Sequence, residues 1–328
     1  MKAIVLTQYG SSDVLQMREL EKPVAKENEV LVKVHASSIN AADKLTMGGT
    51  PFIVRLMAGA LFSPPKNKVL GAAIAGTIEA VGADVKHFKV SDAVFADMSD
   101  AGLGGFTEYV AVPETLLVRK PSNLTFEQVA SVPLAGVTAL QGLRDSGKIE
   151  AGQTVLINGA SGGVGTFAVQ LAKYYGATVT AICSTDKVEM VREIGADTVI
   201  DYKKEDVLQG SKTYDLILDI AAYRPATDYK AILNPQGKYV LVGGSISRIF
   251  QVMLFGGLYA RGSQQTISGL MAKANQDDLA FMSDLLETGK ITPVIDTCYS
   301  LEDTAQAMHY FENGQAKGKV IISHMETN

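Results

Sequence analysis

A strand, a cluster of glycines and a helix follow one another from Val155, and strand then alternates with helix to about residue 269. The strands in this part of the chain are predicted at TVLIN, TVTAIC, DTVID, YDLILDIA, GKYVLVGG and QTISGL, and the helices at GGVGTFAVQLAKYY, DKVEMVREIG and PATDYKAIL. Alternation of this kind predicts a parallel sheet that is covered by helices on both faces. We therefore expect a doubly wound α/β domain over residues 123–269.

The first third of the chain has short strands that are separated by Gly, Pro and Asp. In EVLVKVHASSIN, valines alternate with other residues at a period of two, which predicts a strand. VLGAAIAGTIEAVG predicts a strand pair whose glycines allow a barrel to bend or a neighbouring chain to approach. This pattern favours a β-rich, barrel-like domain over residues 1–122, with a long loop and at most one helical turn over residues 46–68. Residues 270–328 are expected to close the chain as helix, strand, helix and strand.

The composition excludes several kinds of partner. The 328 residues carry a net charge of -5 with acids and bases interspersed, so no basic stripe for nucleic acid is present. The longest apolar stretch, PFIVRLMAGALF, is interrupted by Arg55 and is too short to span a membrane. The N-terminus turns polar too early for a signal peptide. We expect a cytoplasmic protein that acts on a small molecule.

Metal-binding patterns are missing from the sequence. Cys183 and Cys298 are far apart and are expected to be buried strand residues. The four histidines are scattered and do not form a ligand pattern.

The segment GASGGVG lies where a strand turns into a helix, and this is where a Rossmann domain binds a pyrophosphate. The motif G-x-G-x-x-G reads here as Ala160-x-Gly162-x-x-Gly165, so its first glycine is replaced. We predict that the turn binds a dinucleotide through Gly162, Gly163, Val164 and Gly165. The alternative is that these glycines serve only tight packing.

The second strand of this domain ends at Ser184, where a Rossmann domain that selects NAD usually has an acid. A hydroxyl there can bind the 2′-phosphate of NADP, and Lys187 can supply a positive charge. Asp186 lies between them and is an alternative cap for the next helix. Lys187 could instead be a solvated surface residue. Together, Ser184 and Lys187 favour NADPH as the cofactor.

Several segments together resemble the medium-chain dehydrogenase/reductase superfamily, and within it the zinc-independent quinone oxidoreductase-like branch. They are NGASGGVGTFAVQLAKYYGA, VLGAAIAGTIEAVG, PLAGVTALQGL, SINAADKL, GGFTEYVAV and the terminal GKVIIS. The resemblance implies a GroES-like barrel built from the N-terminal part and the C-terminal segment, with a Rossmann domain inserted between them and an active cleft at their junction. It also implies a homodimer.

The chain departs from the zinc enzymes of that superfamily at each ligand position. Where those enzymes have Cys, Gly-His-Glu and a further ligand, this sequence has Asn40, Gly71-Ala72-Ala73 and Ala135. The comparison implies an enzyme without zinc.

The resemblance also assigns site residues. Asn40 and Asp43 form the N-x-x-D pattern that lies beside the nicotinamide in relatives; Asn40 could donate to a substrate oxygen, and a structural role is favoured for Asp43. Three further positions match cofactor-binding residues of the family: Thr138, Tyr202 and Lys319, the last of which is expected to reach the pyrophosphate. Val242, Gly243 and Gly244 follow the fifth strand of the α/β domain, and we expect them at the cofactor site because open α/β sheets bind ligands at the carboxyl ends of their strands.

These observations predict an NADPH-dependent oxidoreductase without metal, which transfers a hydride to a quinone or an α,β-unsaturated carbonyl compound. The alternative, from a different functional class, is an NADPH-binding structural or regulatory module with little turnover.

Overall fold

The computed structural model describes residues 1–49, 55, 62 and 68–324. The chain forms two compact units, the first from residues 1–137 and 273–328 and the second from residues 138–272. Residues 123–137 thus belong to the first unit, whereas the sequence-based division placed them in the α/β domain. Most of the loop expected over residues 46–68 lies outside the described residues, and residues 46–48 end a helix.

The first unit contains two sheets. Its strands are β1 (Lys2–Leu6), β2 (Leu15–Glu19), β3 (Glu29–Ser38), β4 (Lys68–Val69), β5 (Ala73–Val81), β6 (Ala93–Asp97), β7 (Tyr109–Pro113), β8 (Leu117–Arg119), β15 (Ile295–Ser300) and β16 (Lys319–Ser323). One sheet has the order β2-β1-β4, and the larger one has the order β15-β16-β3-β5-β6-β8, with β7 also paired to β3.

The strand predicted from the alternating valines is confirmed, and the C-terminal strand pairs with it. The alternating valines of β3, Val30, Val32 and Val34, are buried in one apolar core. The C-terminal strand β16 pairs antiparallel with β3, with Ile321 opposite Ser38. That pairing places the end of the chain beside the segment that contains Asn40.

Among the described residues of the first unit, five segments are α-helical. They are α1 (Ala41–Gly48), α2 (Phe126–Ala130), α3 (Pro133–Gln141), α7 (Gln276–Glu287) and α8 (Thr304–Glu312), and α3 continues into the second unit. Thr125 caps α2, because its hydroxyl accepts a hydrogen bond from the Gln128 N–H at 3.2 Å.

The second unit is the expected doubly wound α/β fold. Its strands are β9 (Thr154–Asn158), β10 (Thr178–Cys183), β11 (Thr198–Asp201), β12 (Tyr214–Asp219), β13 (Leu233–Leu241) and β14 (Thr266–Gly269). All neighbours are parallel, in the order β11-β10-β9-β12-β13-β14. Its helices are α4 (Gly163–Tyr174), α5 (Val188–Glu193) and α6 (Ile246–Tyr259). The helix predicted at PATDYKAIL is a 3₁₀-helix, Ala226–Ile232.

The cysteines differ from each other in exposure. Cys183 is buried in β10, as expected, but Cys298 is exposed, so the prediction for Cys298 was wrong. Among the described strands, β15 lies at the edge of its sheet and pairs with β16 alone, so fewer neighbouring side chains cover Cys298.

Among the described residues, no helix combines the length and the apolar character that crossing a membrane requires. The cytoplasmic location stays a prediction.

A substitution at Gly76 tests the prediction that glycines in β5 allow a neighbouring strand to approach closely. A Cβ atom at this position would lie 2.1 Å from the Lys33 carbonyl oxygen on the adjacent strand β3. We expect Gly76→Ala to lower the free energy of unfolding by about 1–3 kcal/mol, because backbone has to move. Urea denaturation of the two proteins measures this change in the free energy of unfolding.

Gly210→Ala is the matched control. Gly210 is exposed and has φ −77°, and the nearest described atom to its Cβ position is the Val207 carbonyl oxygen at 3.4 Å, which is an ordinary contact. The substitution should be neutral or stabilise by up to about 1 kcal/mol. Equal effects of the two substitutions would contradict the assignment of Gly76 to close strand packing.

Candidate functional site

Apart from Thr138, the predicted cofactor residues of the second unit lie at the edge of the sheet that is formed by the carboxyl ends of its strands. The glycine-rich turn follows β9, Ser184 follows β10, Tyr202 follows β11, and residues 242–244 follow β13. The chain leaves β9 toward β10 and β11 and later returns on the other side with β12 and β13. The order of strands therefore reverses between β9 and β12, and such reversals are where open α/β sheets bind ligands.

The glycine-rich turn bends one residue earlier than the sequence motif suggests. Gly159 has φ +82°, which is the left-handed conformation that glycine adopts without strain. The next residue, Ala160, donates its N–H to the Ile182 carbonyl at 3.1 Å. The tight bend is therefore made by Gly159, and alanine is compatible with the first position of the motif.

The glycines of the turn have different roles. A Cβ at Gly165 would lie 2.1 Å from the Gly159 carbonyl oxygen, so packing of α4 against the turn requires glycine there. At Gly162 the nearest described atom would be the same oxygen at 3.6 Å, which is an ordinary contact. Packing explains Gly165, and it does not require glycine at 162.

This difference fits a bound pyrophosphate. Gly162 is the N-cap of α4, and Gly163, Val164 and Gly165 form the first turn. The first N–H groups of a helix have no carbonyl partner inside the helix and attract anions. The open Cβ position at Gly162 leaves room for phosphate oxygens to approach these groups.

At the end of β10, Ser184 and Lys187 are both buried, with 8% and 9% of their surface exposed. The alternative of a solvated surface lysine at 187 was therefore wrong. Ser184 Oγ donates to Asp186 Oδ1 at 2.7 Å. Tyr202 is 60% exposed, and its N–H donates to the Cys183 carbonyl, which holds it beside the end of β10.

A buried carboxylate at the point of strand reversal was missed by sequence reasoning. Asp219 is fully buried and accepts hydrogen bonds from Tyr239 Oη at 2.6 Å and Asn158 Nδ2 at 2.8 Å. Burial raises the pKa of Asp219, and these hydrogen bonds oppose the rise. The available signal was an acid at the end of the apolar strand YDLILD.

Asp219 also connects β12 to the predicted cofactor residues after β13. Its carbonyl accepts from the N–H groups of Val242 at 2.8 Å and Gly243 at 3.3 Å. Gly244 has φ +114°, and a Cβ there would lie 2.3 Å from the Ala222 nitrogen. Backbone contacts thus fix the positions of residues 242–244 at the carboxyl end of β13.

The first unit brings Asn40, Asp43 and Lys319 together. Asp43 is fully buried and accepts from the Asn40 N–H at 2.9 Å and the Gly71 N–H at 2.8 Å. Lys319 Nζ donates to Asn40 Oδ1 at 2.5 Å and to the Ile39 carbonyl at 3.0 Å. An ammonium group can only donate, so the oxygen of the Asn40 amide must face Lys319. The amide nitrogen faces Ser38, whose carbonyl accepts from it at 2.9 Å.

Burial controls the ionisation of this cluster. It raises the pKa of Asp43 to about 6 against the hydrogen bonds and the charge of Lys319. It lowers the pKa of Lys319 to about 7 against the charges of Asp43 and Asp97. Burial also raises the pKa of Asp97.

Thr138 is the first residue of the second unit, lies in α3 and is 9% exposed. In the described part of the chain, no three His, Cys, Asp or Glu side chains come together in a way that could hold a metal ion.

Comparison with known proteins gives consistent results. Residues 26–122 match the model described as alcohol dehydrogenase GroES-like domain, and residues 194–322 match the one described as zinc-binding dehydrogenase. The chain is 35% identical to 2-methylene-furan-3-one reductase of Solanum lycopersicum and 35% identical to the chloroplastic NADPH-dependent alkenal/one oxidoreductase of Arabidopsis thaliana. Both alignments cover 98% of this chain and 79% of the relative. The chain belongs to the medium-chain dehydrogenase/reductase superfamily.

Within this superfamily it lies in the quinone oxidoreductase-like branch. The quinone oxidoreductase of Coxiella burnetii has the same fold, with a TM-score of 0.88 and 28% identity over 99% of both chains. Membership makes the protein an oxidoreductase with a nicotinamide cofactor.

Paired alanine substitutions in this protein separate packing from phosphate binding. Gly162→Ala should change the free energy of unfolding by less than about 1 kcal/mol but weaken dinucleotide binding more than about tenfold, because a methyl group occupies space that the phosphate needs. Gly165→Ala should destabilise the fold by about 2 kcal/mol or more, because its Cβ meets backbone. Urea denaturation and dinucleotide titration measure the two effects; unchanged binding in Gly162→Ala would contradict the assignment.

The buried lysine predicts a pH dependence of stability. Burial lowers the pKa of Lys319 to about 7 in the folded protein, against about 10.5 in the unfolded chain. Between these values the unfolded chain binds one more proton, so this residue makes stability rise with pH by up to about 1.4 kcal/mol per unit. Lys319→Met should remove roughly 2–3 kcal/mol from the gain in unfolding free energy between pH 7 and pH 9.

Denaturation at both pH values measures that gain, and groups that titrate alike in both proteins cancel. The charge of Lys319 lowers the pKa of Asp43, so Asp43 has a higher pKa in the variant, which reduces the gain further. Lys290→Met, which changes an exposed lysine of the same unit, is the control and should behave as the unmodified protein. A gain in Lys319→Met equal to that of the control would show that the lysine keeps its charge on folding.

Proposed function

We propose that the protein is an NADPH-dependent oxidoreductase that acts without metal on quinones or α,β-unsaturated carbonyl compounds. The observation that carries the proposal is the Lys319–Asn40 hydrogen bond. Asn40 stands at the sequence position where zinc enzymes of the superfamily have a metal ligand. A cation and an amide there can polarise an oxygen without a metal.

Binding of NADPH is assigned to the strand ends of the second unit. The turn at Gly162, Gly163, Val164 and Gly165 would hold the pyrophosphate. Ser184, Lys187 and Tyr202 would bind the 2′-phosphate. The remaining part of the cofactor is assigned to Thr138, Val242, Gly243 and Gly244. A relative 35% identical to this chain is named as NADPH-dependent, which supports this cofactor.

The chemistry requires a place for negative charge. Bound NADPH supplies a hydride, and in a conjugated carbonyl compound the resulting charge develops on oxygen. The amide nitrogen of Asn40 has two N–H groups: one donates to the Ser38 carbonyl, and the other makes a longer contact of 3.4 Å with Ser38 Oγ. Asn40 is proposed to donate this second N–H to the substrate oxygen in place of Ser38 Oγ, and the ammonium of Lys319 fixes the orientation of the amide. The pyrophosphate contact expected for Lys319 stays a prediction. Asp43 holds the backbone of residues 40 and 71 in place, and water can supply the proton.

A substrate panel tests this function. We expect NADPH-dependent reduction of quinones or enones to exceed the oxidation of simple alcohols by a wide margin. Asn40→Ala should lower kcat about 10²-fold while NADPH affinity stays unchanged, because the lost donor acts on the developing oxyanion. Faster oxidation of ethanol or a secondary alcohol would contradict the proposal.

Two further readouts belong to the same experiment. Activity should persist in a chelator, with no stoichiometric zinc by elemental analysis; one zinc per chain that is lost together with activity would refute metal-free catalysis. Tight NADPH binding without turnover of any panel member would favour the structural or regulatory module.

We also propose a homodimer formed through the second unit. α6 exposes five large apolar side chains, Phe250, Met253, Leu254, Phe255 and Leu258. The neighbouring strand β14 is the edge of its sheet, so its outer backbone groups can pair with a second copy. Exposed apolar patches of this kind are typical of protein–protein contacts.

Leu254→Glu should convert the dimer to a monomer, because it places a charge among the apolar contacts. Light scattering after size-exclusion chromatography measures the mass. Val24→Glu, at an exposed valine of the first unit, is the control and should leave the mass unchanged. A monomeric unmodified protein would refute this assembly.

A further inference from the structure

Two hydroxyl groups that follow β10 are bound to carboxylates. Ser184 Oγ donates to Asp186 Oδ1 at 2.7 Å. The next residue, Thr185, donates from its side chain to Asp201, and this hydrogen bond is the main reason for the lowered pKa of Asp201. Asp201 ends the adjacent strand β11, opposite Cys183. The end of β10 therefore has a hydroxyl in the place of an acid, with a carboxylate bonded to it.

Carboxylates and basic side chains both lie near the end of β10, and they shift the pKa of the Cys183 thiol in opposite directions. Burial raises its pKa to about 11, and the negative charges of Asp201 and Asp186 contribute to the rise. The positive charges of Lys187 and Arg192 act in the opposite direction. An incoming phosphate at Ser184 would be attracted by Lys187 and repelled by Asp186.

We infer that Asp186 is a specificity-determining residue, which weakens the preference for NADPH and keeps NADH as a usable cofactor. The inference rests on the proposed function, since it requires the adenosine end of a nicotinamide cofactor to bind at Ser184.

The argument follows from the chemistry of the two cofactors. NADH has a free 2′-hydroxyl, which can donate to a carboxylate, as the acid of NAD-selective domains accepts from it. NADPH has a phosphate of charge about −2 at that position, which a carboxylate repels. To bind it, Ser184 must redirect its hydroxyl from Asp186 to the phosphate. The same residue thus favours one cofactor and opposes the other.

The substitution Asp186→Asn tests the negative charge of the Asp186 carboxylate separately from its size and its hydrogen bonding. The side chain keeps its size and an oxygen that can accept from Ser184, and it loses the negative charge. Charges of −1 and −2 about 5 Å apart in water correspond to roughly tenfold in affinity at low salt and about fourfold at physiological salt. The ratio of NADH to NADPH dissociation constants should rise by these factors.

Glu189→Gln is the matched control. It removes one negative charge from the first turn of α5, three residues further along the chain, where Glu189 is exposed and pairs with Arg192. The ratio should change less than about twofold in this variant.

The experiment titrates NADPH, NADH, adenosine 2′,5′-bisphosphate and 5′-AMP against the three proteins by calorimetry at two salt concentrations. We expect Asp186→Asn to bind NADPH and the bisphosphate more tightly, and to lose part of this gain at high salt. It should bind NADH and 5′-AMP no more tightly than the unmodified protein does, because their free 2′-hydroxyl loses a charged acceptor.

An unchanged ratio in Asp186→Asn, or an equal rise in Glu189→Gln, would overturn the inference while the proposed function stands. Failure of both dinucleotides to bind the unmodified protein would overturn the proposed function and this inference with it.

Discussion

The parallel direction of all six strands of the second unit is the constraint on which its chemistry depends. Because every strand runs the same way, every loop that follows a strand opens at the same edge. The reversal of strand order between β9 and β12 then separates the loops and leaves space between them. Residues that are far apart in the chain, such as Gly162, Ser184 and Val242, come to one edge for this reason.

Close backbone contact keeps that edge in shape. Gly165 lets α4 approach the turn at Gly159, and Asp219 holds the residues that follow β13. A carboxylate is costly to bury, and here the cost is offset by donors from Tyr239 and Asn158. Asp219 thus stabilises the local structure around the proposed cofactor site without itself being assigned to the cofactor.

The first unit buries charge in a different way. Asp43 and Lys319 are separated in the chain by most of its length, and the pairing of β16 with β3 brings both into hydrogen-bonding contact with Asn40. Because water is excluded, each charge perturbs the other, and the lysine is poised to lose its proton near neutral pH. The side-chain amide of Asn40, whose oxygen accepts from Lys319 and whose nitrogen donates to Ser38, has a fixed orientation that a solvated asparagine would not have.

The sequence determined the classes of structure and their order. Period-two valines, alternating strands and helices, the capping pair Thr125 and Gln128, and the glycine-rich turn are local patterns, and local backbone and packing rules act on them directly. The tertiary structure decided the features that depend on neighbours distant in the chain: the burial of Lys187 and Lys319, the exposure of Cys298 on an edge strand, the carboxylate partner of Ser184, and the division of roles between Gly162 and Gly165. Burial, hydrogen bonding and electrostatic interaction act through space, so a one-dimensional pattern contains the residues but does not contain the distances between them.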